Sequence, residues 1–188
     1  MALKLPLWKK EVPFALTMSR AFVVPIMIGL MIPQDNFWKW TAAIVFALAS
    51  ITDYFDGYFA RKWNIVSIWG KFFDPVTDKI LVSAVLIFLL SQGKVDPYSV
   101  ILLLVRDIFI GGIRSVAATE QIVIAAKPAG KWKTGLQMGA IPLLILSPWE
   151  GPYEIFNKVG FVLLWISVIL SITSSVEYYL GYIKSRKA

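Results

Sequence analysis

An all-α, polytopic membrane protein of six transmembrane helices is the fold class that three observations predict. Hydrophobic types make up 57% of the 188 residues and charged types only 16%, against roughly half and a quarter in soluble domains. The mean hydropathy is +0.67. Apolar stretches of about bilayer-crossing length recur six times, separated by polar turns. Such a composition excludes a water-soluble globule. It also excludes a disordered chain, which needs few aromatics and high charge.

The first stretch, Phe14–Met31, is interrupted by Arg20, and no small-residue cleavage site follows it, so it reads as a retained span rather than a cleaved signal. Before it, Met1–Val12 sets Leu3, Leu5, Leu7 and Trp8 beside Lys9 and Lys10. An interfacial amphipathic segment and a solvated basic tail are both open there, because Pro6 opposes a helix. The second stretch, Trp38–Ala60, follows a Pro33-Gln-Asp-Asn turn, and the third, Phe73–Leu90, forms a hairpin with it. Ser91-Gln-Gly-Lys-Val-Asp-Pro leads into the fourth, Tyr98–Ala117. The fifth, Thr134–Pro148, is short and contains Pro142; Pro148-Trp-Glu-Gly-Pro separates it from the sixth, Lys158–Leu180. No linker, repeat or low-complexity tract appears, so residues 1–188 are expected to form one domain.

Lys and Arg total 19 against 12 Asp and Glu, a net charge of +7. On a hydrophobic chain this excess points to loops facing an anionic inner leaflet, not to nucleic acid. Lys4, Lys9, Lys10, Arg61, Lys62, Lys71, Lys127, Lys131, Lys133, Lys184, Arg186 and Lys187 fall on one side of the six stretches; Lys39, Lys94 and Lys158 fall on the other. The positive-inside rule then places both termini, and the loops after the second and fourth spans, in the cytoplasm.

With neither Cys nor His in the chain, thiol nucleophiles, Cys or His zinc sites and imidazole bases are all excluded. Chemistry must rest on carboxylates, Lys, Arg, Ser, Thr or Tyr. Asp53, Asp56, Asp74 and Asp78 cluster at the end of the second span and the start of the third. On helices the first pair (i, i+3) shares a face, as does the second (i, i+4). Four carboxylates directed at one point repel and are costly to desolvate, and two divalent cations would balance them. All-oxygen ligands favour Mg²⁺, Mn²⁺ or Ca²⁺. The plain alternative, four solvated interfacial residues paired with Arg61, Lys62, Lys71 and Lys79, does not explain the matched faces. Gly57 and Ala60 lie near the Asp53–Asp56 face, where small side chains admit a ligand or another helix.

The stretch Asp53–Asp78 reads DYFDGYFARKWNIVSIWGKFFDPVTD. It resembles the signature of the CDP-alcohol phosphotransferases, with Asp53, Asp56, Gly57, Ala60, Arg61, Gly70, Asp74 and Asp78 all in register across 26 residues. The resemblance implies a six-helix membrane enzyme, commonly homodimeric, that uses two divalent cations, Mg²⁺ or Mn²⁺ first among them. Such an enzyme transfers the phosphatidyl group of CDP-diacylglycerol to an alcohol and releases CMP. By the same resemblance, Asp53, Asp56 and Asp74 are metal ligands. Asp78 is a ligand or neighbour of the metal and the general base. Gly57, Ala60 and Gly70 admit the cytidine moiety, and Arg61 pairs with phosphate oxygens. A bacterial cytoplasmic membrane with the active site facing the cytoplasm is the implied location.

Thr17 and Arg20, Arg106-Asp-Ile through Arg114, and Gly130-Lys-Trp-Lys-Thr resemble the members of that family whose acceptor is glycerol 3-phosphate, although Asp107 stands where Glu is more usual. The last span carries only generic membrane character. Arg20, Arg106, Arg114, Lys131 and Lys133 all lie near the inner boundary, which suits a phosphorylated acceptor, while snorkelling to lipid headgroups is the alternative for Lys131 and Lys133. Arg106 lies deep in its span and is expected to have a partner or face a wet cavity. Asp107, its neighbour in sequence, is expected to point elsewhere and partner it poorly. Arg114 and Lys133 are expected to flank the metal site. A sister enzyme making phosphatidylinositol phosphate or cardiolipin is the alternative within the family. From another class, a cation transporter would show repeated or broken helices with ligands near the midplane, whereas these carboxylates gather at one face.

Overall fold

The computed structural model describes residues 22–62, 68–120, 128–147 and 154–187, and among them it is all-helical, with six helices and no strand. Within those ranges the side chains of residues 53–78, Ala118, residues 128–129, Lys131 and Lys187 are outside the description. The helices are α1 (Phe22–Met31), α2 (Asn36–Lys62), α3 (Ile68–Ser91), α4 (Pro97–Thr119), α5 (Pro128–Leu146) and α6 (Glu154–Lys187). Met1–Val12, Thr17, Arg20 and the expected turn Pro148-Trp-Glu-Gly-Pro lie outside the described residues.

The order of helices follows the hydropathy pattern, but their ends do not. α5 begins at Pro128 rather than Thr134, α3 at Ile68 rather than Phe73, and α6 runs Glu154–Lys187 rather than Lys158–Leu180. Hydropathy marks what prefers lipid or core, whereas backbone hydrogen bonds and caps decide where a helix stops. Pro128 suits the first position of α5, where no intrahelical donor is needed. Lys131 and Lys133 therefore stand on the first turns of α5, not in a loop before it. The helix also runs through Pro142, which cannot donate to the carbonyl of Met138, and continues to Leu146.

The chain divides into two compact units, Met1–Val85 and Leu86–Ala188. In the first, Met27 and Met31 of α1, Ala42, Ala43 and Phe46 of α2, and Leu81 and Val85 of α3 are buried, while Ile44, Leu48 and Ile51 on the other side of α2 are exposed.

The second unit begins in the last turns of α3, which end in a Schellman motif. Gly93 takes φ 71°, its N–H donates to Leu90 O, and Lys94 N–H donates to Leu89 O. Three residues on, Asp96 caps α4 by accepting from Ser99 N–H at 2.9 Å, with Pro97 opening the helix. The same connection ties the other helices down. Lys94 is buried and donates to Ile145 O at 2.9 Å, satisfying a carbonyl at the C-terminus of α5. Asp96 accepts from Trp165 Nε1 of α6 at 3.2 Å.

α6 packs along α5 and, over a shorter seam, against α4. The α5–α6 seam is close. A Cβ placed on Gly160 would lie 2.9 Å from Leu144 Cγ and 3.2 Å from the Ala140 carbonyl oxygen. Ala140, Ile141, Leu144, Ile145, Leu164 and Val168 fill this region and are buried. By length and composition α6 is long and apolar enough to cross a membrane. Ile155, Val162, Ile166, Ile169, Ile172, Val176 and Leu180 form an exposed apolar stripe from one end of it to the other.

Candidate functional site

The aspartate motif lies on helical backbone except for residues 63–67, which are outside the described residues. Asp53, Asp56, Gly57, Ala60 and Arg61 occupy the last three turns of α2; Gly70, Asp74 and Asp78 occupy the first three of α3. The i, i+3 and i, i+4 spacings are therefore spacings along true helices, so each pair of aspartates takes neighbouring positions on one face. Among the residues whose side chains are described, no group of three or more Asp, Glu, His or Cys could hold a metal; the four aspartates are not among them.

In the second unit, α4 carries into the helix packing an arginine that α6 holds and an aspartate that α5 holds. Arg106 is largely buried, its side chain 15% exposed. Its Nε donates to Ser175 Oγ at 2.5 Å and to the Ser171 carbonyl at 3.1 Å, and its Nη2 donates to Ser174 Oγ at 2.8 Å. Its Nη1 donates to Asp107 Oδ1 at 2.8 Å. The expectation that Arg106 has a partner holds. The expectation that Asp107 is a poor one does not. Adjacent positions on a helix do diverge by about 100°, but the arginine stem is long enough to turn back on its neighbour. Asp107 is in turn held by α5, since Lys133 Nζ donates to the same Oδ1 at 2.6 Å. Lys133 is 5% exposed and Asp107 15%. Water screens such a pair far less than a surface one.

Arg114, two turns beyond Arg106, is exposed, and its guanidinium carbon lies 5.5 Å from the centroid of the Tyr178 ring. At the end of α4, Glu120 accepts from Tyr182 OH at 2.7 Å and pairs with Arg186 Nη2 at 3.2 Å. Of the five cations considered for an acceptor phosphate, Arg106, Arg114 and Lys133 thus have described side chains; Lys131 is placed only by its backbone, on α5, and Arg20 lies outside the described residues.

Sequence reasoning passed over Ser171, Ser174, Ser175, Tyr178 and Tyr182 because it treated the last helix as generic membrane. A signal was present. Ser167, Ser171 and Ser175 recur every four residues in an otherwise apolar helix, the spacing by which small polar residues line a helix–helix seam.

A chain whose described residues form six helices, two successive ones carrying this aspartate pattern, has a matching family model. The chain belongs to the CDP-alcohol phosphatidyltransferase family, whose model matches residues 10–173. Relatives named CDP-diacylglycerol–glycerol-3-phosphate 3-phosphatidyltransferase match nearly its full length. One from Rickettsia typhi is 38% identical over 170 residues, covering 90% of this chain and 96% of that one. One from Bacillus subtilis is 34% identical over 182 residues, covering 90% and 93%. A plant relative bearing the same name with the number 2, from Arabidopsis thaliana, is 36% identical over 181 residues, covering 88% and 77%.

Proposed function

We propose that this protein is a phosphatidyltransferase that moves the phosphatidyl group of CDP-diacylglycerol to sn-glycerol 3-phosphate, giving phosphatidylglycerol phosphate and CMP. The observation that carries this reading is the full aspartate motif on two helices of a chain matched nearly end to end by relatives of that name. The family match runs without a break from residue 10 to 173, which supports one catalytic domain over the whole chain.

The donor set fits hard divalent cations, because α2 and α3 each offer two carboxylates at helical spacing and the chain has no thiolate or imidazole to compete. Asp53, Asp56 and Asp74 would hold two such ions, Mg²⁺ or Mn²⁺, with Asp78 as a ligand or close neighbour. When bound, the ions would neutralise the pyrophosphate and orient it for in-line displacement. The chain's own residues do the rest. Asp78 takes the proton of the attacking hydroxyl, the role a carboxylate assumes when no histidine is present. The hydroxyl oxygen bonds to the phosphatidyl phosphorus, the bond from that phosphorus to the bridging oxygen breaks, and CMP leaves with that oxygen. Gly57, Ala60 and Gly70 leave room for the cytidine, and Arg61 binds its phosphates. Arg114 holds the acceptor's phosphate, and Lys133, which Asp107 already engages, Lys131 and Arg20 are the further cations assigned to it. Arg106, each of whose three nitrogens is already engaged, contributes by anchoring α4 to α6.

Six membrane spans with both termini cytoplasmic, and a homodimer in the bacterial cytoplasmic membrane, complete the reading. The apolar stripe on α6 and the exposed Ile101, Val105, Ile108 and Phe109 on α4 support lipid-facing surfaces. The deciding experiment measures CMP release from CDP-diacylglycerol by purified enzyme with glycerol 3-phosphate, inositol phosphate, phosphatidylglycerol and no acceptor, each with and without EDTA. Release that depends on glycerol 3-phosphate and is abolished by EDTA is expected. Release with another acceptor alone would reassign the enzyme within its family, and full turnover after exhaustive chelation would remove the metals from the reading.

A further inference from the structure

α6 holds the two arginines of α4 in opposite ways. Arg106 is gripped by its edge, its Nε and Nη2 donating to Ser175, Ser174 and the Ser171 carbonyl. Arg114 is approached by a ring, and among the described residues no hydrogen bond engages its N–H groups. With its guanidinium carbon 5.5 Å from the ring centroid, Arg114 keeps its planar N–H fork without a hydrogen-bond partner among the described residues, and that fork is the part that recognises a phosphate. Tyr178 is itself fixed from both sides along α6. One turn before it, Ser174 and Ser175 anchor Arg106; one turn after it, Tyr182 donates to Glu120, which Arg186 also meets. Positions 174, 175, 178, 182 and 186 follow helical spacing and make a single stripe against α4. These positions lie beyond the stretch that the family model matches, which ends at residue 173.

We infer that Tyr178 is a positioning residue for the acceptor, its ring holding the Arg114 guanidinium by a cation–π contact so that the N–H groups stay presented to the phosphate of glycerol 3-phosphate. This rests on the acceptor role proposed above for Arg114. An arginine without the ring samples many rotamers, and binding a dianion must then select among them. Losing an exposed contact of this kind corresponds to about a two- to fivefold change.

The test is steady-state kinetics on the full-length enzyme at saturating CDP-diacylglycerol. Tyr178→Leu is expected to raise KM for glycerol 3-phosphate about two- to fivefold, with kcat and KM for CDP-diacylglycerol unchanged. Tyr178→Phe, which keeps the ring, is expected to behave as wild type. In an Arg114→Ala background, Tyr178→Leu is expected to add nothing further. If the leucine variant does not fold, Tyr178→Met poses the same question. Should Arg114→Ala raise KM while neither Tyr178→Leu nor Tyr178→Met does, the positioning role is overturned and the acceptor reading stands. Should Arg114→Ala leave KM unchanged, both fall. A loss equal in the phenylalanine and leucine variants, or one confined to kcat, also overturns the inference, because the ring would not be what matters.

Discussion

Asp107 accepts from cations of two helices on one oxygen atom, so its removal exposes an asymmetry. An asparagine keeps the shape and an acceptor oxygen but removes the negative charge that Arg106 and Lys133 share in a largely buried setting. Breaking a buried pair in this way costs about 3–5 kcal/mol. Asp107→Asn is therefore expected to lower the thermal unfolding midpoint of the detergent-solubilised protein, and an unchanged midpoint would show that the triad contributes nothing to stability. The motif aspartates should respond differently. Asp56→Asn is expected to lower kcat by orders of magnitude while the protein still inserts, because a metal ligand is lost rather than a helix contact. Asp78→Asn should leave CDP-diacylglycerol binding partly intact and slow transfer about 10²–10⁴-fold, the usual contribution of a general base. Near-normal CMP release by that variant would rule out Asp78 as the base.

Between elements, the α5–α6 seam is the most demanding contact in the second unit. A methyl group on Gly160 meets Leu144 Cγ at 2.9 Å and the Ala140 carbonyl oxygen at 3.2 Å. The leucine can turn but the carbonyl belongs to a helix and cannot, so the helices must part. Overpacking of this kind costs about 1–3 kcal/mol, against up to about 1 kcal/mol gained from replacing glycine by alanine within a helix. Gly160→Ala is expected to be neutral to destabilising. Gly139, on α5 with open space where its Cβ would stand, provides the comparison: Gly139→Ala should be neutral or stabilising. Thermal unfolding of the two variants side by side checks this, and equal midpoints would mean that the seam is not close-packed in solution.

For the whole molecule, the asymmetry of Lys and Arg predicts which side faces the cytoplasm, and that prediction can be checked directly. The chain has no cysteine, so single cysteines report topology against a silent background. Ser185→Cys, near the C-terminus of α6, should be shielded from an impermeant thiol reagent added outside intact cells, and Gln34→Cys, between α1 and α2, should react. The reverse pattern would invert the topology and move the aspartate motif to the outer face.

The helical class, the order of the six helices and the aspartate motif were legible in the sequence because each depends on near neighbours. Apolar run length, turn residues and the i, i+3 and i, i+4 spacings of Asp53, Asp56, Asp74 and Asp78 act within one helix. Helix ends were read less well, since Pro128 and the cap at Asp96 set them rather than hydropathy. The partners of the charged residues were not legible at all. Arg106 meets Ser175 across 69 residues and Asp107 meets Lys133 across 26, and those meetings depend on how each helix is rotated about its axis. In α6 the repeat of Ser167, Ser171 and Ser175 marks a side that packs, but not which neighbour that side meets. Only the packing of α6 against α4 and α5 decided that a helix without recognisable chemistry would hold both arginines, one by hydrogen bonds and one by a cation–π contact.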